Sequence, residues 1–340
     1  MHDDEITTVE RIDLDTLEPG MHRLRVDMVR DGLGEMIRIP VIIARGEEPG
    51  PVVGLTAAIH GNELNGVRII HRLLPDIDTR TLSGTIVTVP VVNVPGYLRN
   101  QRYFSDGVDL NRVMPGAEGG NQSQVYAARF LDRIVSCFDY LIDLHTASFG
   151  RVNSLYVRAD MSDPITSRLA WLQSPQIIVH NDGGDNTLRA AACAMGIPSI
   201  TVEVGDPNRF QRKMIRGSLM GTFNVLEHLS MIDDATDPLV EPILCGRSYW
   251  MYTDRGGVLD VLPNVSQRIE KGQVVARVTD VFGRAVREYL APEDGIVIGK
   301  SSNPVNQAGS RILHLGIEGL PEAFPDPTQS LSVWPKVDVS

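Results

Sequence analysis

Apolar positions along this chain alternate between two periods. Met36 to Ala44 is dense in isoleucine and valine and reads as a strand, punctuated by Glu47-Glu48-Pro49-Gly50-Pro51. Val52 to Ile59 is a short continuous apolar run, the pattern of a strand covered on both faces. Glu63 to Leu74 then switches to helical spacing, with Leu64, Val67, Ile70 and Leu74 on one face. Thr85 to Val92 returns to strand, and Gln122 to Phe138 is a long helix with apolar residues at steps of three and four. Tyr140 to Leu144 is a strand that runs straight into His145. Asp163 to Leu172, Ile177 to His180, Thr187 to Met195 and Ile197 to Val204 read as helix, strand, helix, strand, and Gln211 to Met231 as a final helix. Strands alternating with helices imply a largely parallel sheet covered by helices.

The texture changes at Asp233-Asp234-Ala235-Thr236-Asp237-Pro238, an acidic stretch with the composition of a linker. Beyond it no long helical period occurs. Short β-branched runs are separated by turn signals such as Gly256-Gly257, Pro263-Asn264 and Lys271-Gly272. The pattern predicts a small β-sandwich or barrel. The expected organisation is therefore an α/β domain over residues 1–235 and a smaller β domain over 240–340.

Length and charge narrow the functional classes. At about 150 residues per domain, 340 residues agree with two domains. The 32 Lys+Arg against 43 Asp+Glu leave a net charge of −11, which repels a phosphate backbone and argues against a nucleic-acid partner. No apolar run approaches the 18 or so residues of a membrane span. The opening Met1-His2-Asp3-Asp4-Glu5 has neither the basic nor the apolar region of a signal peptide. Cys137, Cys193 and Cys245 are scattered and odd in number, so the expectation is reduced thiols in a cytoplasmic protein, with Cys137 and Cys193 as buried fillers of helices. Self-association is left open.

Three segments place an ionisable residue at the end of an apolar strand, where ligand sites form in open α/β sheets. In Ile59-His60-Gly61-Asn62-Glu63, a spacing of three across a strand-to-helix turn lets an imidazole and a carboxylate converge, and Gly61 lends the turn conformational freedom. Both are zinc ligands. The plainer reading is a carboxylate favouring the helix dipole and a histidine closing a strand. In Asp143-Leu144-His145, two residues apart on a strand share a face, so Asp143 can orient the His145 ring; a lone core histidine is the alternative. In Thr201-Val202-Glu203-Val204-Gly205, a carboxylate interrupts β-branched residues and needs either a cation partner or a catalytic task. Taken together, His60, Glu63 and His145 make a His₂Glu set with one open coordination position. A fourth segment, Arg99 to Arg112, supplies arginines able to fork onto carboxylates.

These segments together resemble the succinylglutamate desuccinylase and aspartoacylase family, zinc carboxypeptidase-like hydrolases. The matching pieces are His60-Gly61-Asn62-Glu63, Asp109-Leu110-Asn111-Arg112, Asp143-Leu144-His145 and Glu203-Val204-Gly205. The resemblance covers roughly residues 35 to 230. It implies an α/β fold, a mixed, mostly parallel sheet flanked by helices, followed by a smaller β domain. It implies one zinc ion per chain on His60, Glu63 and His145, with Glu203 as general base. Arg102 matches the arginine that polarises the scissile carbonyl, with Arg99 as the fallback, and Asn111 and Arg112 match the pair holding the substrate carboxylate. The implied reaction is hydrolysis of the amide of a small N-acyl amino acid. The rivals are a zinc carboxypeptidase acting on peptides and a non-catalytic binding module. Val258 to Gly316 resembles a barrel-sandwich of the biotinyl and lipoyl type. Its presenting hairpin, Val281-Phe282-Gly283-Arg284-Ala285, has no lysine, which turns the reading from a carrier to a structural or site-covering part.

Overall fold

The computed structural model describes residues 6–233 and 241–319. The chain first runs through β1 (Ile6–Val9), β2 (Gly20–Arg30), β3 (Met36–Arg45), β4 (Glu48–Ala57), α1 (Asn65–Leu73), β5 (Ser83–Val89), α2 (Val94–Leu98) and α3 (Gln122–Arg133). Next come β6 (Tyr140–His145), β7 (Arg151–Asn153), β8 (Leu155–Ala159), α4 (Pro164–Leu172), β9 (Ile177–His180), α5 (Leu188–Ala194), β10 (Ser199–Val204) and α6 (Arg212–His228). The remainder is β11 (Ile243–Tyr252), β12 (Gly257–Val261), β13 (Arg268–Ile269), β14 (Val274–Thr279), β15 (Ala285–Leu290), β16 (Gly295–Ser301), β17 (Val305–Asn306) and β18 (Arg311–Glu318). Among the described residues no helix is long and apolar enough to cross a membrane.

The main sheet has the order β1-β2-β3-β5-β4-β6-β10-β8-β9-β11-β18-β16-β13, with β7 paired to β16. It is mixed, and parallel through its centre, where β5, β4, β6 and β10 run in one direction. Those central strands are apolar on both sides because both sides are covered. Val67 and Ile70 of α1, Leu169 of α4 and Leu219 of α6 pack with Leu55, Ile142 and Ile200 on one face. Tyr126 and Phe130 of α3 and Leu188 of α5 pack with Ile43, Val89 and Leu141 on the other.

The helical and strand assignments of the 36–231 region reappear with shifted ends. The first helix starts at Asn65, which leaves Glu63 in the preceding turn, its N–H donating to the His60 carbonyl at 3.0 Å. The helix expected to reach Phe138 stops at Arg133, followed by a short 3₁₀ turn at Val135–Cys137. Strands β1, β2, β7 and β8 fall where no element was expected. In β2 the buried Leu24, Val26 and Met28 alternate with the more exposed Arg23, Arg25 and Asp27, so the charges hid a period-two pattern. The cysteines are free, but Cys193 is exposed, contrary to the expectation of a buried filler. Helix α5 turns Leu188, Ala191 and Ala192 inward instead.

The 240–340 region contributes a four-stranded sheet, ordered β15-β14-β12-β17. The expected linker beyond Asp233 lies outside the described residues. The main sheet also continues into this region: β11 pairs in parallel with β9, and β18, β16 and β13 follow. The 281–285 hairpin is present between β14 and β15, with Val281 and Phe282 exposed at its tip.

Parallel pairing brings the carboxyl ends of β4, β6 and β10 to one edge. The register sets Ala57 beside Leu144 and His145 beside Glu203. At the end of β4, Ala58 adopts φ 50°, a left-handed conformation unfavourable for a residue with a Cβ. Hydrogen bonds from the Val92 and Asn93 N–H groups to the Ala57 and Ala58 carbonyls, 2.9 and 3.0 Å, hold it there. Gly61 is required for a different reason from the one expected. Its φ is not left-handed, but a Cβ there would lie 2.0 Å from the Gly96 carbonyl carbon and 2.1 Å from the Tyr97 nitrogen. The His60–Glu63 turn is thus pressed against the start of α2. Gly61→Ala should cost about 1–3 kcal/mol, as overpacking against backbone does. Urea unfolding will show it as a lowered midpoint. An unchanged midpoint would mean that α2 yields freely and does not brace the turn.

Candidate active site

His60 and Glu63 leave the end of β4, and His145 is the last residue of β6. All three are buried, with one ligand atom of each within 4.8 Å of the others. Glu63 Oε1 lies 2.9 Å from His60 Nδ1, and Glu63 Oε2 lies 3.1 Å from His145 Nδ1. The far nitrogen of each ring meets another carboxylate. His60 Nε2 is 2.9 Å from Asp109 Oδ1, and His145 Nε2 is 2.8 Å from Asp143 Oδ2. Asp143 is itself held, accepting from the Thr56 hydroxyl at 2.7 Å.

Every nitrogen of the two rings faces a carboxylate, which only accepts; with a cation beside Glu63, each Nε2 would carry the hydrogen and each neutral ring would present its Nδ1 lone pair to that ion. His60 Nδ1 is buried with no hydrogen bond of acceptable geometry, despite its closeness to Glu63. Two nitrogen lone pairs and a carboxylate aimed at one point repel unless a positive charge lies between them. A divalent ion suits that donor set, and imidazoles backed by carboxylates are the usual way a protein presents zinc ligands. Without a cation, protons must serve. Burial pushes His145 toward the neutral form, but Asp143 and Glu63 outweigh it and raise its pKa well above the ordinary value. Burial likewise opposes the charge on Glu63, yet His60 and His145 hold its carboxyl far below the usual range.

Glu203 sits on β10 next to His145, facing the same cleft of about 950 Å³. Its Oε2 accepts from Asn153 Nδ2 at 3.1 Å. Burial raises its carboxyl above the ordinary carboxylate value, against the pull of His145. Among the described residues it has no ion-pair partner within contact, although the charge of Arg158 pulls its carboxyl down.

The arginine segment divides. Arg102 reaches the centre, with Nε and Nη2 donating to Asp109 Oδ2 at 3.1 and 2.8 Å. Its Nη1 donates to Glu63 Oε1 at 2.9 Å and also to the Ser148 hydroxyl. Arg99, the fallback, is exposed after α2 and does not line the cleft. Asn111 is buried; its Oδ1 accepts from the Leu188 N–H at 2.7 Å, which leaves the amide hydrogens toward His145 and the cleft. Arg112 lines the rim, its side chain 60% exposed and only loosely near Asp185 at 3.9 Å.

Sequence reasoning gave Asp109 no role, although it closes both the His60 and the Arg102 contacts. Its partner His60 is 49 residues away, and no local spacing signals that pairing. Sequence reasoning also missed the far wall of the cleft. Arg151, Tyr156 and Arg158 come from β7 and β8, and Trp250, Arg311 and His314 from β11 and β18.

Similarities to known proteins fit this geometry. The family model described as succinylglutamate desuccinylase/aspartoacylase catalytic domain matches residues 49–229. The chain is 22% identical over 311 residues to an N-alpha-acetyl-L-2,4-diaminobutyric acid deacetylase of Halomonas elongata, covering 87% of this chain and 90% of that protein. It is 27% identical over 171 residues to a succinylglutamate desuccinylase of Pseudomonas aeruginosa, spanning 46% of this chain and about half, 51%, of that protein. In fold it is similar to the product-bound ectoine utilization protein EutE (DoeB) of Ruegeria pomeroyi, with TM-score 0.81, 21% identity and 90% and 97% of the two chains covered. With its strand-end histidines and carboxylates in the order and place that the matched segment spans, the chain belongs to the succinylglutamate desuccinylase/aspartoacylase family.

Proposed function

We propose that this protein is a metal-dependent amidohydrolase that cleaves the amide of a small N-acyl amino acid, with one zinc ion per chain. The observation that carries the reading is the convergence of His60 Nδ1, His145 Nδ1 and the Glu63 carboxylate beside Glu203. Membership of the family supports it, as do the names of the two relatives, a deacetylase and a desuccinylase. A binding module alone would leave Glu203 without a task.

His60, Glu63 and His145 would hold the ion, which when bound supplies Lewis acidity and a lowered pKa for water at neutral pH. The chain's own residues do the rest. Asn153 occupies Glu203 Oε2, so Oε1 takes the proton of the attacking water and returns it to the leaving nitrogen. A carboxyl raised by burial suits that exchange better than an ordinary one. Arg102 spends four of its five N–H groups on Asp109, Glu63 and Ser148. The fifth, on Nη2, is available to a substrate carbonyl oxygen as charge develops there. Arg112, whose contact with the Asp185 carboxylate is a long 3.9 Å, and the Asn111 amide anchor the substrate's α-carboxylate. Residues of the 240–340 region cover the opposite side of the cleft.

Three outcomes check this. Glu203→Gln should keep its metal and circular dichroism but lose about 10²–10⁴-fold in kcat on an N-acyl amino acid. A rate within a few-fold of wild type would make Glu203 structural. By elemental analysis the purified protein should carry one divalent ion per chain, which His145→Ala loses. Asp143→Asn should retain the ligands but weaken metal affinity about 10- to 100-fold, measured by competition with a chelator. Unchanged affinity in Asp143→Asn would show that the His145 ring needs no orienting partner.

A further inference from the structure

Strand β7 ties the cleft to the 240–340 region. It follows the loop after His145, yet it pairs with β16, with Asn153 opposite Gly299, Val152 opposite Lys300 and Arg151 opposite Ser301. The chain on either side of β7 is fastened to the same strand. The Gly150 carbonyl accepts from the Ser302 N–H at 2.8 Å, and the Ile298 carbonyl accepts from the N–H and hydroxyl of Ser154 at 3.0 and 2.9 Å. Ser154 then leads into β8, which pairs with β10 and sets Tyr156 beside Glu203.

Asn153, the last residue of β7, is buried, and its Nδ2 donates to Glu203 Oε2 at 3.1 Å. Its main chain is held too, since its N–H is hydrogen-bonded to the Asp206 carboxylate, which also accepts from Gln211 Nε2 at 3.0 Å. The direction of the amide follows from its neighbours. Turned over, it would set its oxygen against a carboxylate oxygen, acceptor against acceptor. As it stands, the oxygen lies against Gly299. That residue is a glycine for room, not for a left-handed φ. A Cβ there would lie 2.3 Å from Asn153 Oδ1 and 3.0 Å from the Val152 carbonyl oxygen. Strand β16 is irregular at this point, with a register shift between Val297 and Gly299 opposite Leu315 and His314 of β18. Such irregularities re-aim a strand beside a site.

A glutamate acting as a base must offer one oxygen in a set place, and its side chain has three rotatable bonds with which to lose it. Misplacement by about 1 Å can cost about 10²-fold in rate. His145 and Arg158 both attract the Glu203 carboxylate, but among the described residues neither is in ion-pair contact with it. The hydrogen bond from Asn153 is charge-assisted, so it is among the stronger ways to fix one oxygen and with it the plane of the group. We propose that Asn153 is the positioning residue of the general base, holding Glu203 Oε2 so that Oε1 is left for the proton, and that Gly299 of β16 keeps the Asn153 amide in place. The 240–340 region then takes part in proton transfer without supplying a group that carries the proton. This rests on the hydrolase reading and deepens it.

The test uses the full-length, metal-loaded enzyme on a panel of N-acetyl and N-succinyl amino acids. On the compound that wild type cleaves fastest, kcat of Asn153→Ala, and of Asn153→Asp, which keeps the shape but loses the donor, should fall about 10- to 100-fold. KM, metal content and circular dichroism should stay close to wild type, because the interaction acts on the chemical step. In a Glu203→Gln background, Asn153→Ala should cost nothing further, since no base remains to be placed; a merely structural residue would cost the same factor in both backgrounds. Gly299→Ala should lower kcat in the same way and add little to Asn153→Ala. Crystal structures give a readout independent of turnover: in Asn153→Ala the Glu203 carboxylate should leave its wild-type orientation. If wild type cleaves no member of the panel, the hydrolase reading fails, and the Glu203 orientation in Asn153→Ala still decides whether Asn153 positions it. The proposal is overturned by a kcat within about twofold of wild type in Asn153→Ala, by an equal loss in both backgrounds, by a loss confined to KM, or by an unmoved Glu203 carboxylate. A wild-type kcat in Gly299→Ala would overturn the part assigned to β16.

Discussion

Everything in this site depends on one buried carboxylate. Glu63 is almost wholly removed from water, faces two imidazole nitrogens and accepts from Arg102 and from the Thr146 N–H at 3.0 Å. An isolated carboxylate in that position would be neutralised by a proton. The surrounding donors keep it charged, and its charge in turn fixes what else the pocket accepts. Asp109 and Asp143 take the outer nitrogens of the two rings, so with a cation beside Glu63 the inner nitrogens would face it with lone pairs forward. The result is a donor set that fits a cation.

The sheet delivers these groups together. Because β4, β6 and β10 run parallel, their carboxyl ends lie at one edge, and the register puts His145 directly beside Glu203. Closeness is then inherited from strand pairing, and the loops only refine it. The left-handed Ala58 and the crowded Gly61 show how tightly the first loop is drawn. The 240–340 region takes part as well, since β11 and β18 extend the same sheet and bring Trp250, Arg311 and His314 over the cleft.

What could be read in advance follows from this. His60, Glu63, His145 and Glu203 were legible because each ionisable residue interrupts or ends an apolar strand, a contrast visible within ten residues. The alternation of strand and helix was legible for the same local reason. Asp109 was not, since its meaning lies in a contact with His60 that only the fold creates. The far wall of the cleft was not, since its residues come from four strands spread between 151 and 314. β2 was overlooked because arginines occupy its outward positions, and Gly61 was noticed for the wrong reason: its small size matters against α2, not its freedom of rotation.

The central claim is that the two histidines present Nδ1, not Nε2, to a metal shared with Glu63. Anomalous diffraction at the zinc edge from crystals of the purified protein tests it most directly. The account predicts one peak per chain, bonded to His60 Nδ1, His145 Nδ1 and the Glu63 carboxylate, with Asp109 and Asp143 behind the rings. A peak bonded through either Nε2, or a metal that leaves Glu63 uncoordinated, would contradict it.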